Sequence, residues 1–165
     1  VHLQDDVQPV HRADTGSNLY DLRSPGSLRK REDGGQSMTE IVISIKPEWV
    51  EKIFQLRKTW ELEDDAKMSL PFTCYIYKTG NGGVVGSFVC DCVDVIRNKD
   101  ITEKALKDTC LSLEDALSYA DGKTVYKWRI RSVVDYPNPR PISMYGLEKP
   151  PQSWCYVKGG DPGDT

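Results

Sequence analysis

The spacing of apolar residues changes twice between residues 42 and 62, and each change predicts a new element. The β-branched run at 42–45 suits a buried strand. Pro47 suits the first turn of a helix, because its missing N–H needs no partner there. Apolar residues then recur at helical spacing up to about Leu56, namely Trp49, Val50, Ile53 and Phe54. Residues 59–62 return to an extended pattern, so the segment predicts a strand, a helix and a strand, with Lys46 and Lys58 at the two ends of the helix.

The rest of the patterned sequence alternates in the same way. Strands are predicted at residues 73–78, 84–95, 123–134 and 153–157, with a glycine-rich turn at 79–83. Two short helices are predicted at 100–107 and 112–119, and Ser112 is a suitable N-cap for the second. Short helices inserted between mainly antiparallel strands indicate an α+β fold built around a small β-barrel.

Composition divides the chain into three parts. Residues 1–37 are rich in Asp, Ser, Gly and Arg and contain few large apolar residues, which is typical of a disordered leader, either native or added for expression. Met38 then begins the patterned sequence and is a natural candidate for a start. We expect a single domain at 38–158 and a flexible, glycine-rich tail at 159–165.

Charge and cysteine content limit the classes of function. The chain of 165 residues has a formal net charge of −3, so any nucleic-acid binding must come from a local basic patch rather than from bulk charge. It contains no apolar run long enough for a membrane span and no apolar signal-peptide core, so we expect no membrane contact. The odd number of cysteines, five, favours reduced thiols and a cytoplasmic location.

One predicted strand contains a row of cations. Period-two alternation puts Lys127, Arg129 and Arg131 on one face, spaced about 7 Å apart by the strand rise, and such a row can follow a phosphate backbone. A solvated outer face of the barrel is the alternative. Lys46, Lys58 and Lys78 lie at predicted element ends that could converge with this face. Together these six residues are the candidate contacts for RNA or a nucleotide.

Several of these segments resemble the ASCH family, a branch of the PUA-like β-barrel superfamily. Its members carry a Lys-Pro turn and a Gly-x-Lys-x-x-Glu-x-Arg motif, and residues 56–63 read LRKTWELE. Lys58 and Glu61 match this motif, whereas Leu56 and Glu63 replace its Gly and Arg. Residues 72–80, 83–90, 126–130 and 150–157 resemble later strands of phage and prophage members. The resemblance covers about 38–158 and implies a PUA-like barrel that binds single-stranded RNA or a modified nucleotide.

The resemblance also raises the possibility of catalysis. One bacterial branch of the family hydrolyses the amide of 4-acetylcytidine with a lysine, a threonine three residues later and a distant glutamate. Here the lysine is Lys58, but the third residue on is Glu61, and Thr59 should point to the other side of a strand. An ion pair with Glu61 would keep Lys58 protonated and weaken it as a base. If the protein is an enzyme, these three residues are the candidates, but a structural salt bridge is the simpler interpretation.

The remaining site types are less well supported. We expect residues 63–65, Glu-Asp-Asp, to form a solvated acidic loop, because contiguous acids seldom converge on a metal. Residues 38–165 contain no histidine, which removes the usual catalytic zinc sites and His-dependent catalysis, and we expect no cofactor or metal. Three functions therefore remain open: a binding module for RNA or a modified nucleotide, an amidohydrolase acting on an acetylated cytidine, and a regulatory protein-interaction module with a protein partner.

Overall fold

The computed structural model describes residues 38–158 in full. Before them it describes only the backbone of three two-residue strands, β1 (His11–Arg12), β2 (Tyr20–Asp21) and β3 (Arg29–Lys30). The rest of the expected leader, and the expected tail at 159–165, lie outside the described residues. Their predicted disorder therefore stays a prediction.

A curled mixed sheet forms the body of the domain. Its strands from residue 38 onward are β4 (Thr39–Ile45), β5 (Trp60–Glu63), β6 (Phe72–Lys78), β7 (Val84–Ile96), β8 (Val125–Arg140) and β9 (Trp154–Tyr156). The order across the sheet is β1-β8-β7-β6-β4-β9, and β5 pairs with the first part of β8. β4 pairs with β6 and β1 with β8 in parallel, while the other pairs of this sheet are antiparallel. The sheet curls into a half-barrel, which confirms the expected α+β class.

Two short α-helices pack on this sheet. Helix α1 (Pro47–Phe54) follows β4 directly and buries Val50 and Ile53. Helix α2 (Leu113–Ala120) begins where the sequence predicts, and the Asp115 N–H donates to the Ser112 side-chain oxygen at 3.0 Å. The hydroxyl thus satisfies an N–H that the first turn leaves without an intrahelical partner.

The prediction of a helix at 100–107 is wrong. The chain forms a short 3-10 turn at Asn98–Asp100 and then irregular turns up to residue 108. Asp108 adopts a positive φ of 66°, and its carbonyl accepts the N–H groups of Thr59 and Trp60 at 2.9 and 3.1 Å. Bonding of this segment to β5 therefore replaces regular bonding within a helix.

Both faces of the central strands are covered, which explains the nearly continuous apolar sequence of β6. Ile41 and Ile43 of β4 and Ile76 of β6 pack with α1 in one core, while Val42 and Tyr75 point to a second core with Tyr145. A third core lies under α2 and includes Leu62. Among the described residues, no helix is long and apolar enough to cross a membrane.

Gly86 sets how closely α1 approaches the sheet. A Cβ at this position would lie 2.6 Å from a ring carbon of Phe54 and would also overlap the carbonyl oxygen of Val134. We expect Gly86→Ala to lower the free energy of unfolding by about 2 kcal/mol or more, because neither the helix nor the neighbouring strand can move without loosening the core. Urea unfolding measures this change.

Gly80→Ala, in the turn before β7, is the matched control. Nothing lies within 4 Å of its added Cβ, although its φ of +83° is unfavourable for alanine. We expect a loss of only about 1 kcal/mol from the backbone conformation. Equal losses in the two variants would contradict the close contact between Gly86 and α1.

Candidate functional site

A tight turn after α1 brings Lys58 under the helix. The helix ends at Phe54, and Leu56 then takes a φ of +61°, the left-handed conformation that commonly ends helices and favours glycine. The N–H groups of Arg57 and Lys58 both donate to the Lys52 carbonyl, at 2.9 and 3.1 Å. The chain therefore folds back below its own helix before β5 begins.

The Lys58 side chain is fully buried, with only 1% of its surface exposed. Its ammonium nitrogen Nζ donates to the Thr109 carbonyl oxygen at 2.5 Å and pairs with Glu61 Oε1 at 3.0 Å. It also lies 5.4 Å from the centre of the Trp49 ring, within the range of a cation–π contact. These contacts hold the ammonium group in place at the floor of a cleft.

Glu63 extends this polar row on the same face of β5. Because side chains alternate along a strand, Glu61 and Glu63 point to the same side. Glu63 is only 5% exposed, and Ser153 Oγ donates to its Oε1 at 2.9 Å. Burial raises the pKa of Glu63 well above its usual range, and the charge of nearby Glu61 raises this pKa further.

The row Lys58–Glu61–Glu63–Ser153 lies in a cavity of about 610 Å³ between α1, β5 and α2. This volume falls within the range of small-molecule sites. Trp49 and Tyr119 contribute aromatic walls. The other lining residues are Ser44, Ile45, Lys46, Glu48, Leu62, Asp64, Leu111, Asp115, Ser118 and Gln152. A polar floor between aromatic walls suits a flat, polar ligand the size of one nucleoside.

Solved structures of similar shape identify the fold. An ASCH protein from Zymomonas mobilis superposes with a TM-score of 0.63 and 20% identity over 76% of this chain and 92% of that one. Its serine-to-alanine variant gives a TM-score of 0.66 and 19% identity over 74% of this chain and 90% of that chain. Its tyrosine-to-phenylalanine variant gives 0.63 and 19% over 74% and 92%. This chain has the ASCH fold. No family model and no curated protein matches it.

The fold places the predicted site residues in three groups. Lys46 and Lys58 both line the cavity, Lys46 as an exposed residue just before α1. Lys78 lies instead in a different pocket, together with Glu51, Asp135 and Tyr136. The expectation that Lys46, Lys58 and Lys78 all converge with the cation row of β8 is therefore wrong, because α1 contributes residues to both pockets and lies between Lys78 and the other two lysines.

The cations of β8 form the third group, away from the cavity. In the pairing of β5 with β8, Glu61 lies opposite Trp128, so these two side chains share a face of the sheet. The other face carries Lys127, Arg129 and Arg131. Their predicted common face agrees with this register, but the expected convergence with Lys46 and Lys58 is wrong.

These cations also have partners of their own, and Lys127 is buried, with only 8% of its surface exposed. Lys127 Nζ lies 4.5 Å from the centre of the Trp60 ring and feels the charges of Asp94 and Asp108. Burial lowers the pKa of Lys127. Arg131 Nε lies 3.4 Å from Asp91 Oδ2. Neighbouring carboxylates thus offset much of the charge that a phosphate backbone would meet.

The expected solvated loop at 63–65 is wrong for two of its three residues. Glu63 is buried, and Asp65 accepts two indole N–H groups, its backbone oxygen that of Trp128 at 3.1 Å and its Oδ1 that of Trp154 at 3.0 Å. Asp64 is exposed, as expected. Two buried indole N–H groups need acceptors, and residue 65 supplies both.

Sequence reasoning did not identify several cavity residues. Ser153 lines the cavity, and Thr109 lies behind it as the carbonyl partner of Lys58; both are far from Lys58 along the chain, and nothing in their local sequence points to a site. Trp49 and Tyr119 have the helical spacing of core residues, so their place at the cavity wall carries no separate signal. Thr59, a candidate in the catalytic interpretation, is not among the lining residues.

The raised pKa of Glu63 predicts how stability depends on pH. The folded protein holds this proton more tightly than the unfolded chain, so the free energy of unfolding should fall as pH rises from the ordinary glutamate pKa through the raised one. Glu63→Gln stays neutral and should remove this fall, making the variant more stable than wild type by about 1 kcal/mol or more at the alkaline end.

Urea unfolding from about pH 5 to about pH 8 measures both curves. Asp91→Asn, on the outer face, is the control and should keep the wild-type slope. A wild-type slope in Glu63→Gln would contradict the buried, protonated carboxyl.

Proposed function

We propose that the cavity between α1, β5 and α2 binds one modified nucleoside, either free or as an unpaired base of single-stranded RNA. The observation that carries the proposal is the buried row Lys58–Glu61–Glu63–Ser153 on the floor of a 610 Å³ cavity. Ammonium, carboxyl and hydroxyl groups together offer both donors and acceptors to the edge of a base. Apolar and aromatic walls suit its faces.

The charges favour recognition of a base over recognition of phosphate. Lys58 already bonds to Glu61 and the Thr109 carbonyl, so Lys46 at the rim is the cation better suited to a phosphate group. Arg129 and Arg131 could contact only a longer RNA that continues from the cavity around to the outer face, and Lys127 is too deeply buried to take part. We therefore expect binding that depends weakly on salt, unlike binding dominated by phosphate contacts.

Catalysis receives less support from the same geometry. Lys58 bonds to a carbonyl and a carboxylate, and Thr59 lies outside the cavity lining. An amidohydrolase needs a nucleophile that its base can reach. Release of acetate from 4-acetylcytidine would nevertheless favour hydrolysis, whereas recovery of a stoichiometric protein partner without any nucleoside binding would favour an interaction module.

Isothermal titration with modified nucleosides and short single-stranded RNA tests the proposal. Lys58→Met should weaken binding about tenfold or more, since it removes the donor that holds Glu61 in place. Arg129→Ala, on the opposite face, should bind a single nucleoside like wild type.

A second cavity variant distinguishes loss of binding from loss of the fold. Burial makes Lys58 sensitive to substitution, so Trp49→Ala on the cavity wall should also lose affinity while circular dichroism reports an intact fold. If Arg129→Ala loses nucleoside binding while both cavity variants keep it, the ligand binds on the outer face and the proposal fails.

A further inference from the structure

The cavity holds more acidic groups than basic ones. Its lining contains five carboxyl groups and two ammonium groups, namely Glu48, Glu61, Glu63, Asp64 and Asp115 against Lys46 and Lys58. The Lys58 ammonium already pairs with Glu61, so its charge is largely offset within the protein. An incoming phosphate or carboxylate would therefore meet net negative charge.

The two carboxyl groups of β5 are the buried centre of this charge. Glu61 has an ammonium partner, Lys58 at 3.0 Å, whereas Glu63 accepts a hydrogen bond from the neutral hydroxyl of Ser153. Burial and the charge of Glu61 raise the pKa of Glu63 well above its usual range, which favours the protonated carboxyl. Glu63 thus has a proton that a cation could replace.

The charged surroundings of Glu63 come from every side of the cavity. Lys46 and Glu48 face it from the start of α1, Lys58, Glu61 and Asp64 from around β5, and Asp115 from α2. Burial raises the pKa of the Tyr119 phenol on α2, and the charges of Asp64 and Glu61 raise it further. These groups leave the cavity acidic.

Aromatic side chains add to the preference for positive charge. Trp49 already attracts the Lys58 and Lys52 ammonium groups, whose nitrogens lie 5.4 and 5.6 Å from its ring centre. Tyr119 is about half exposed and lines the cavity from α2. The negative face of an aromatic ring attracts cations, and a flat cationic ring can also stack on it.

We infer that this cavity selects a nucleobase with a delocalised positive charge over its neutral isomer, with Glu61 and Glu63 as counter-ions. This inference rests on the proposed function, because it assigns the class of nucleoside that the same cavity accepts. When the cationic base binds, Glu63 loses its proton to the buffer, and a carboxylate–cation pair replaces the neutral carboxyl.

Pairs of isomers that differ in charge test this inference. In titrations at neutral pH, 3-methylcytidine is a cation and 5-methylcytidine is neutral, and 1-methyladenosine and N6-methyladenosine form a second such pair. The cation of each pair should bind about tenfold tighter or better, since charge pairing is strong in a desolvated site. The measured heat should differ between phosphate and Tris buffers, because these buffers take up the released proton with different enthalpies.

Two variants test whether the cavity floor causes the preference for the cation and the release of the proton. Glu63→Gln should abolish both the preference for the cation and the proton release, while Asp91→Asn on the outer face should keep both. If Glu63→Gln does not fold, the wild-type preference and buffer dependence still decide the question.

The outcomes separate the two proposals. If the neutral isomers bind as well as the cations or better, the inference fails and the nucleoside-binding function stands. If neither pair binds, and neither do other nucleosides or short RNA, the proposed function fails together with the inference.

Discussion

The buried ammonium group of Lys58 is the interaction on which the site depends. A lone ammonium inside a protein costs several kcal/mol, and here Glu61 and the Thr109 carbonyl offset this cost. These bonds join three segments that are distant in sequence: the turn after α1, strand β5, and the irregular loop before α2. The cavity keeps its shape because separating any of these segments would leave the charge without a partner.

The alternation of β5 determines how the remaining charge is distributed. Glu61 and Glu63 must point to the same side, while Leu62 between them points into the core under α2. Lys58 pairs with Glu61, whereas Glu63 is buried and accepts a hydrogen bond from the Ser153 hydroxyl. The pair therefore retains a proton, so the geometry of a four-residue strand determines the charge at the cavity floor.

The sequence predicts the bounds of helices and strands better than it predicts which side of the sheet a side chain occupies. Strand β4, helix α1 and strand β6 lie within a few residues of their predicted bounds, because periodic burial leaves its mark on the local sequence. It also places Lys46 and Lys58 at one cavity. It cannot show that Arg129 points away from that cavity, because the answer depends on the register between β5 and β8. Bonds to distant segments likewise explain the missing helix at 100–107 and the buried Glu63.

The two departures from the family motif have different physical consequences. Leu56 keeps the left-handed φ that a glycine would adopt freely, and packing of its half-buried side chain against the core offsets part of the strain. The backbone path is therefore preserved without the glycine. Glu63, in contrast, puts a carboxyl where the motif has an arginine, so no cation stands at this position of the cavity floor. A shared fold at about 19% identity thus leaves room for a different charge in the cavity, because the turn constrains the backbone while the residue at the floor can change.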